Sequence, residues 1–294
     1  QRLRATVELL DNNEFILQAP DVQILNYKKI MTDLGKGDIP KGAKFVELAV
    51  KNFLSHVEMV LNNFGLKIVT KSEFSSEFGF GSSSAATVCV IKALAELFGN
   101  KLSKKEIFDL SYKTVLDIQG KGSGFDVAAA VYGGTLYFVT GGKSIKRLKI
   151  DSLPLIVGYS GVKADTVTLM NQVKAKADKY PKIIEGIYSE IEQLIPLAQK
   201  AIVKQDWATV GDLMNINQGY LGSLGVSTRK VENMIYAACD AGAYGAKLSG
   251  AGGGDCIIVF APDEKRKRVE AAIIDAGGKV IKIQTNAEGV RVEL

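Results

Sequence analysis

The sequence predicts an α+β protein that is long enough to form two lobes. Residues 45–63 carry apolar side chains at helical spacing, whereas residues 65–70 alternate between apolar and polar side chains as a strand does. Strands and helices follow one another in mixed runs without strict alternation, which indicates an α+β fold. The chain has 294 residues, of which 47% are hydrophobic and 23% charged, and it can therefore bury a substantial core.

Turn and capping signals place the elements of the first half. The turn Asp11-Asn12-Asn13 predicts a pair of strands over residues 4–10 and 14–18. Ser103 and Glu106 have the spacing of a capping box, which predicts a helix from residue 103 to about residue 117. The remaining predicted elements of this half are a helix over 45–63, a strand over 65–70, a helix that begins at 84 and a strand over 134–139.

The second half is predicted to be richer in helices. Strands are predicted over 155–159, 255–260 and 280–285, with a short last strand over 289–293, and helices over 166–177, 183–204, 207–222, 228–241 and 264–276. We predict a lobe boundary near residue 150, so that residues 1–150 form an N-terminal lobe and residues 151–294 a C-terminal lobe.

A glycine-rich turn followed by three serines stands directly before a predicted helix. Glycines let backbone N–H groups approach a ligand closely, and the helix N-terminus adds free N–H groups and a positive dipole end. The alternative is a flexible loop with a serine-capped helix. We favour a phosphate-binding turn formed by Gly79, Gly81, Ser82, Ser83 and Ser84.

A second glycine run lies near the other end of the chain. Gly250, Ala251, Gly252, Gly253 and Gly254 precede an apolar strand, and so many small residues cannot pack a core. A tight helix-to-strand turn is the alternative, but such a turn rarely needs more than two glycines. The run therefore predicts close approach of the backbone to a partner group.

A third glycine-rich turn, residues 119–126, ends on Asp126 and opens an alanine-rich helix. Asp126 is either the N-cap of that helix or a carboxylate that orients a hydroxyl group and accepts its proton.

Composition excludes several other classes of function. The net charge of +5 is mild, and the basic run within residues 264–268 opens a helix without aromatic neighbours, which argues against nucleic-acid binding. No apolar stretch approaches the length of ~18 residues that a membrane span needs. His56 is the single histidine, so a histidine-dependent triad or zinc site is excluded. Cys89, Cys239 and Cys256 are widely spaced and indicate a reducing, cytoplasmic compartment.

Together, the three motifs resemble those of the GHMP kinase superfamily, in the same order and over nearly the whole chain. This resemblance implies a two-lobed fold with its active site in the cleft between the lobes. Within the superfamily, residues 158–166, 214–219, 224–228 and 286–292 are most similar to the mevalonate kinase family of archaea and bacteria, whereas residues 122–128 are more similar to phosphomevalonate kinases.

The resemblance also implies roles for individual residues. ATP and Mg²⁺ are the expected cofactors. The serine turn is expected to bind the ATP phosphates, and Ser83 is expected to be a ligand of the metal. Asp126 is the expected catalytic residue. Gly250, Ala251, Gly252 and Gly253 are expected to close over phosphates or acceptor, and Ser249 and Gly124 to lie beside the acceptor.

Three departures from the family pattern accompany this resemblance. The family's first motif is absent, and we expect the chain to be incomplete at its N-terminus. Val115 stands where mevalonate kinases often carry a metal-binding glutamate, so either Asp117 substitutes for it or Ser83 and the nucleotide phosphates hold Mg²⁺. Asp255 replaces a usual glycine and is expected to point away from the phosphates.

The expected activity is ATP-dependent phosphorylation of the primary hydroxyl of mevalonate. Phosphomevalonate is the alternative acceptor, and a non-catalytic regulator that binds nucleotide or metabolite is the alternative class. The expected partner is a small-molecule substrate, and we expect binding to neither nucleic acid nor a membrane. Whether the chain forms a homodimer is left undecided by the sequence.

Overall fold

The computed structural model describes residues 2–59, 64–73 and 81–293, which form two compact units. The first unit holds the described residues up to 148 together with residues 287–293, and the second holds residues 149–286. The sequence predicts that the chain's last residues belong to the second lobe, and here the structure differs. The Gly134 N–H donates to the Ala287 carbonyl (2.7 Å) and the Val290 N–H to the Ala130 carbonyl (2.8 Å), which holds the last segment on the first unit.

The first unit is built on a mixed four-stranded sheet in the order β1-β4-β2-β3. Strands β2 and β4 run parallel, and the other neighbours are antiparallel. Helices α1 and α2 pack against each other, and α2 also contacts β1, α3 and α4. The elements are β1 (Leu3–Leu10), β2 (Glu14–Ala19), β3 (Ile24–Ile30), α1 (Lys44–His56), β4 (Gly65–Ser72), α2 (Ser82–Leu97), α3 (Lys104–Gln119), α4 (Phe125–Tyr132), and the hairpin of β5 (Thr135–Val139) and β6 (Ser144–Leu148).

The predicted pairing of the first two strands is wrong, because β4 lies between them. Every residue of β1 pairs with β4, from Leu3 opposite Ser72 to Leu10 opposite Gly65. Strand β4 is a central strand with Leu66 and Ile68 fully buried, and it pairs with β1 on one side and with β2 on the other. A Cβ at Gly65 would lie 2.4 Å from the Glu14 carbonyl, so the close strand start requires glycine.

Several element boundaries also differ from the prediction. Helix α1 ends at His56, and Glu58 takes a left-handed conformation (φ +54°) that stops the helix; residues 60–63 of the predicted helix lie outside the described residues. Strands β3 and β6 were not predicted. The capping box at Ser103 is confirmed, since the Ser103 hydroxyl accepts from the Glu106 N–H while the Glu106 carboxylate accepts from the Ser103 N–H.

The second unit packs helices on an antiparallel sheet in the order β10-β7-β9-β8. Its elements are β7 (Leu155–Tyr159), α5 (Thr166–Lys179), α6 (Pro181–Val203), α7 (Trp207–Leu224), α8 (Arg229–Asp240), β8 (Gly245–Leu248), β9 (Cys256–Phe260), α9 (Arg266–Asp275) and β10 (Lys279–Ile281). Strand β8 was not predicted, β10 is shorter than predicted, and the predicted strand over 289–293 does not form. Within the described part of the chain, every helix is too short or too polar to cross a membrane.

A buried carboxylate joins α1 to β3 in the first unit. Glu47 has no solvent exposure and accepts hydrogen bonds from the Tyr27 hydroxyl (2.7 Å), the Lys29 ammonium (2.8 Å) and the Gly35 N–H (2.7 Å). Burial lowers the pKa of Lys29, but the hydrogen bond and charge of Glu47 outweigh this effect and leave the pKa above its ordinary value. A buried charge of this kind is tolerated only because it is paired and fully hydrogen-bonded.

Removing the Glu47 charge should therefore destabilise the first unit strongly. We expect Glu47→Gln to lower the free energy of unfolding by about 3 kcal/mol, because Lys29 loses its counter-charge and an amide cannot accept from all three donors. Urea unfolding followed by circular dichroism measures this change.

The matched control is Glu8→Gln, which removes an exposed carboxylate 3.7 Å from Lys67 on the same sheet. An exposed pair of this kind contributes about 0–1 kcal/mol. Equal effects of the two substitutions would show that the Glu47 cluster is not a stabilising feature.

Candidate functional site

The first turn of α2 presents three consecutive serines. Gly81 is the residue before the helix and takes a left-handed conformation (φ +69°), which glycine adopts without strain. The first N–H groups of a helix have no partner within the helix, so Ser82, Ser83 and Ser84 offer donors at its positive end. Ser82 and Ser83 are half-buried. Gly79, the other glycine of the predicted phosphate-binding turn, lies outside the described residues.

The hydroxyl of Ser84 holds the carboxylate of Asp126. Ser84 is buried, and its Oγ donates to Asp126 Oδ2 at 2.5 Å. Asp126 Oδ1 accepts from the N–H of Val127 (3.0 Å). The structure thus assigns the Ser84 side chain a contact that the sequence did not predict. It brings together two residues that were predicted separately, one in the phosphate turn and the other as the catalytic group.

The alternative that Asp126 is an N-cap is wrong. Helix α4 begins at Phe125, and its N-cap is Gly124, which takes a left-handed conformation (φ +85°). Asp126 is the second residue of the helix. Its carboxylate accepts from the Val127 N–H in the first turn of its own helix and from the Ser84 hydroxyl of α2.

Close backbone packing fixes the position of this carboxylate. A Cβ on Gly81 would lie 3.1 Å from the Cβ of Asp126, so the start of α2 meets the start of α4 directly. On the other side, a Cβ on Gly124 would lie 2.9 Å from the ring of Tyr112, whose hydroxyl donates to the Gly122 carbonyl (2.7 Å). Gly81 and Gly124 are both needed for this arrangement.

Asp117, the predicted substitute metal ligand, is engaged elsewhere. Its Oδ2 accepts from the Lys113 ammonium (2.7 Å) on α3 and from the Asn52 amide (2.9 Å) on α1. Burial raises the pKa of the Asp117 carboxyl, but the bonds from Lys113 and Asn52 together outweigh it, and the pKa lies below its ordinary value. Among the residues that the structure describes, no three His, Cys, Asp or Glu side chains gather as a metal cluster.

The second glycine run forms a tight loop after β8. The Ser249 N–H donates to the Cys256 carbonyl (2.8 Å), which closes the loop at its base. A Cβ on Gly252 would lie 2.2 Å from the Val226 carbonyl oxygen, and one on Gly253 2.5 Å from the Leu169 side chain. Much of the glycine requirement thus comes from packing within the protein. Gly250 is different, because it is exposed and a Cβ there would meet open space.

Asp255, the residue after this loop, faces the segment that follows β7. Its backbone is left-handed (φ +50°), and its Oδ1 accepts from the Ala164 N–H (3.2 Å). The Asp255 N–H donates to the Val162 carbonyl (2.7 Å), and its carbonyl accepts from the Ser160 N–H (2.8 Å). The carboxylate thus has a backbone partner within the second unit.

Residues without an assigned role in the sequence also support the glycine loop. Lys247 on β8 donates from its Nζ to the Leu248 carbonyl (2.6 Å), and burial lowers its pKa to about 8. Asn215 and Gln218 on α7 accept from the backbone of β8. Their spacing of three along a helix was the available signal, since it places both side chains on one face.

Comparisons with known proteins agree with this arrangement of motifs. The family model described as GHMP kinases N terminal domain matches residues 44–134, and the one described as GHMP kinases C terminal matches residues 198–279. A mevalonate kinase from Pyrococcus abyssi is 33% identical over 303 positions, which cover 99% of this chain and 89% of that protein. The chain belongs to the GHMP kinase family.

Solved structures share the GHMP kinase fold. The structure of a mevalonate kinase from Methanococcus jannaschii has a TM-score of 0.77 and 26% identity, covering 94% of this chain and 86% of that one. A phosphomevalonate kinase from Streptococcus pneumoniae, with phosphomevalonate and AMPPNP, has a TM-score of 0.76 at 18% identity, covering 94% of this chain and 88% of that one. The second likeness shows the fold alone.

Alanine substitutions at Gly250 and Gly252 should destabilise the protein to different extents. Gly250 and Gly252 are both left-handed (φ +79° and +85°), so each substitution carries the same strain of about 1–2 kcal/mol. Gly252→Ala adds a clash with the Val226 carbonyl and should be less stable than Gly250→Ala by about 1–3 kcal/mol, measured by urea unfolding. Equal stabilities would mean that the loop does not rest on Val226.

Proposed function

We propose that this chain is an ATP-dependent kinase that transfers a phosphoryl group to the primary hydroxyl of mevalonate. The observation that carries the proposal is the Asp126 carboxylate, which Ser84 holds beside the N-terminus of α2. Phosphoryl transfer depends mainly on positioning and on neutralising the charge of the phosphates. A helix N-terminus beside a fixed carboxylate offers a site for the phosphates and a group that orients the attacking hydroxyl.

The two glycine-containing segments have separate roles in this proposal. The N–H groups at the start of α2, from Ser82 to Ser84, bind the ATP phosphates together with the turn at Gly79 and Gly81. In the second unit, the loop from Gly250 to Gly253 contacts phosphate or acceptor, and Ser249 contributes its hydroxyl to the acceptor. Exposed Gly250, with open space around it, supports this role best.

Asp126 acts on the acceptor hydroxyl. Its carboxylate accepts the hydroxyl hydrogen bond and takes the proton as the hydroxyl oxygen bonds to the γ-phosphorus of ATP and the bond to the ADP oxygen breaks. Gly124 shapes the backbone beside it. Ser84 is a positioning residue, because its hydroxyl donates to Oδ2 of Asp126 while the Val127 N–H donates to Oδ1. General acid–base catalysis of this kind typically contributes about 10²–10⁴-fold in rate.

Mg²⁺ is part of the proposal, and the residues present suit a site with few protein ligands. Mg²⁺ usually keeps several waters and binds through one or two protein oxygens and the substrate phosphates. The half-buried hydroxyl of Ser83 is our candidate ligand. Asp117 is the weaker candidate because Lys113 and Asn52 already occupy its carboxylate. When bound, the ion neutralises negative charge on the phosphates.

Mevalonate is favoured over phosphomevalonate as the acceptor. Relatives named mevalonate kinase cover nearly the whole chain at above 30% identity, which supports the first acceptor. The segment over residues 122–128 favours the second acceptor. Retention of Asp126 with its Ser84 contact argues against a regulator that has lost phosphoryl transfer. We also propose a cytoplasmic location, since three cysteines that are widely spaced along the chain fit a reducing compartment. A small molecule is the only partner proposed, and a homodimer stays open.

The acceptor assignment is tested by coupled measurement of ADP release with ATP and Mg²⁺. We expect turnover with mevalonate that is at least tenfold faster in kcat/KM than with phosphomevalonate, and only background release without acceptor. Higher activity with phosphomevalonate would reverse the assignment. Nucleotide binding without turnover of either acceptor would support the regulator instead.

Asp126→Asn should slow the chemical step without unfolding the protein. The amide keeps the size of the side chain but cannot take a proton, so we expect kcat to fall by about 10²–10⁴-fold with KM for ATP changed little. Steady-state kinetics and thermal melting of the purified variant give both quantities.

The matched control is Asp109→Asn on α3, whose exposed carboxylate pairs with Lys105. It should leave kcat unchanged. Near-normal kcat in Asp126→Asn, with a lowered melting temperature, would contradict the catalytic assignment and make Asp126 a structural residue.

A further inference from the structure

Side-chain amides from α7 occupy the open edge of the second unit's sheet. Strand β8 is an edge strand that pairs with β9 on one side only. On its other side, the Ala246 N–H donates to Asn215 Oδ1 (3.1 Å) and the Leu248 N–H donates to Gln218 Oε1 (2.9 Å). Alternate residues of an edge strand direct their N–H groups outward. The two side-chain amides accept from these N–H groups, as the carbonyls of a neighbouring strand would.

Gln218 is the more deeply integrated of the two. It is 6% exposed, and its Nε2 donates to the Ser227 hydroxyl (3.0 Å) and to Glu232 Oε1 (2.9 Å). Because the Leu248 N–H can only donate, the amide oxygen must face β8, and the orientation of the group is fixed. The side chain is therefore satisfied at both ends and joins three segments of the chain.

Two of those segments support the glycine loop. Leu248 directly precedes Ser249, where the loop begins. Ser227 directly follows Val226, whose carbonyl accepts from the Gly253 N–H (2.7 Å) and lies against Gly252. One side chain thus fixes both the start of the loop and the backbone on which its far end rests.

We propose that Gln218 is a positioning residue that sets the conformation of the glycine loop over residues 249–254 and thereby its binding of a nucleotide polyphosphate. This inference rests on the proposed kinase function. The hydrogen bonds of Gln218 go to Leu248, Ser227 and Glu232 and not to the loop's exposed residue, Gly250, so its effect is exerted through Leu248 and the backbone at Val226. Removing the hydrogen-bond partner of a metal ligand typically costs about 10–100-fold in affinity or activity, and we expect a loss of the same order for this loop.

The test compares Gln218→Leu with a variant that reverses the polarity of the contacts. In Gln218→Leu the buried Leu248 N–H loses its acceptor, and we expect kcat/KM for ATP to fall by about 10–100-fold at a temperature where the variant is fully folded. In the double variant Gln218→Glu/Glu232→Gln, carboxylate oxygens accept from Leu248 and Ser227 while the new amide donates between the two side chains. We expect kcat/KM for ATP to recover to within about threefold of wild type.

Two controls separate positioning from general stability. Gln193→Leu makes the same change at an exposed site on α6 and should alter neither kcat/KM nor melting temperature. Glu232→Gln alone keeps an oxygen acceptor for Gln218 and should retain activity. A lowered melting temperature in Gln218→Leu with unchanged kcat/KM for ATP, or a double variant without recovery, would overturn the proposal.

Hydrogen exchange without any substrate keeps the result independent of the acceptor. We expect the amides of residues 248–254 to exchange at least tenfold faster in Gln218→Leu than in wild type, and at near wild-type rates in the double variant. If Gln218→Leu does not fold, the single variant Gln218→Glu replaces it in the exchange experiment with the same expected result. Its carboxylate still accepts from the Leu248 N–H, but it repels the carboxylate of Glu232. Unchanged exchange refutes the role of Gln218. A wild-type protein that is inactive with mevalonate refutes only the proposed function.

Discussion

The site in the first unit depends on the direct contact between the starts of α2 and α4. A Cβ at Gly81 would lie only 3.1 Å from the Cβ of Asp126, and Ser84 donates to the carboxylate across this contact. The helix terminus and the acidic group therefore keep a fixed relation to each other. Two left-handed glycines, Gly81 and Gly124, make the approach sterically accessible. The proposed chemistry needs the charge of Asp126, its hydrogen bond from Ser84 and the close approach of the two helix starts.

The sequence predicts local structure well and long-range pairing poorly. Helical spacing and the Ser103 capping box located α3 correctly, because both signals lie within one element. The pairing of β1 with β2 was wrong because the strand that separates them, β4, comes about 50 residues later in the chain. The end of α1 was also misplaced, since the left-handed Glu58 that stops it has no glycine to signal it.

The same distinction holds for the site. Glycine runs and serines indicated the segments of the candidate site, but not the contacts that these segments make. Ser84 was predicted to contact phosphate through the turn, and the structure adds its bond to Asp126. Gly252 and Gly253 were attributed to the approach of a partner group, and the structure adds that packing against Val226 and Leu169 also requires glycine at these two positions. The contact of Gln218 with Leu248 was not predicted, because the partner is a backbone N–H 30 residues away.

The central claim is that the first turn of α2 binds nucleotide phosphates next to Asp126. Amide chemical-shift mapping by NMR, with a non-hydrolysable ATP analogue and Mg²⁺ added to the labelled protein, tests it directly. We predict that the largest shifts in the first unit fall on the N–H groups of Ser82, Ser83 and Ser84, with a smaller one at Val127. Saturable binding of the analogue that leaves these four amides unmoved would contradict the account.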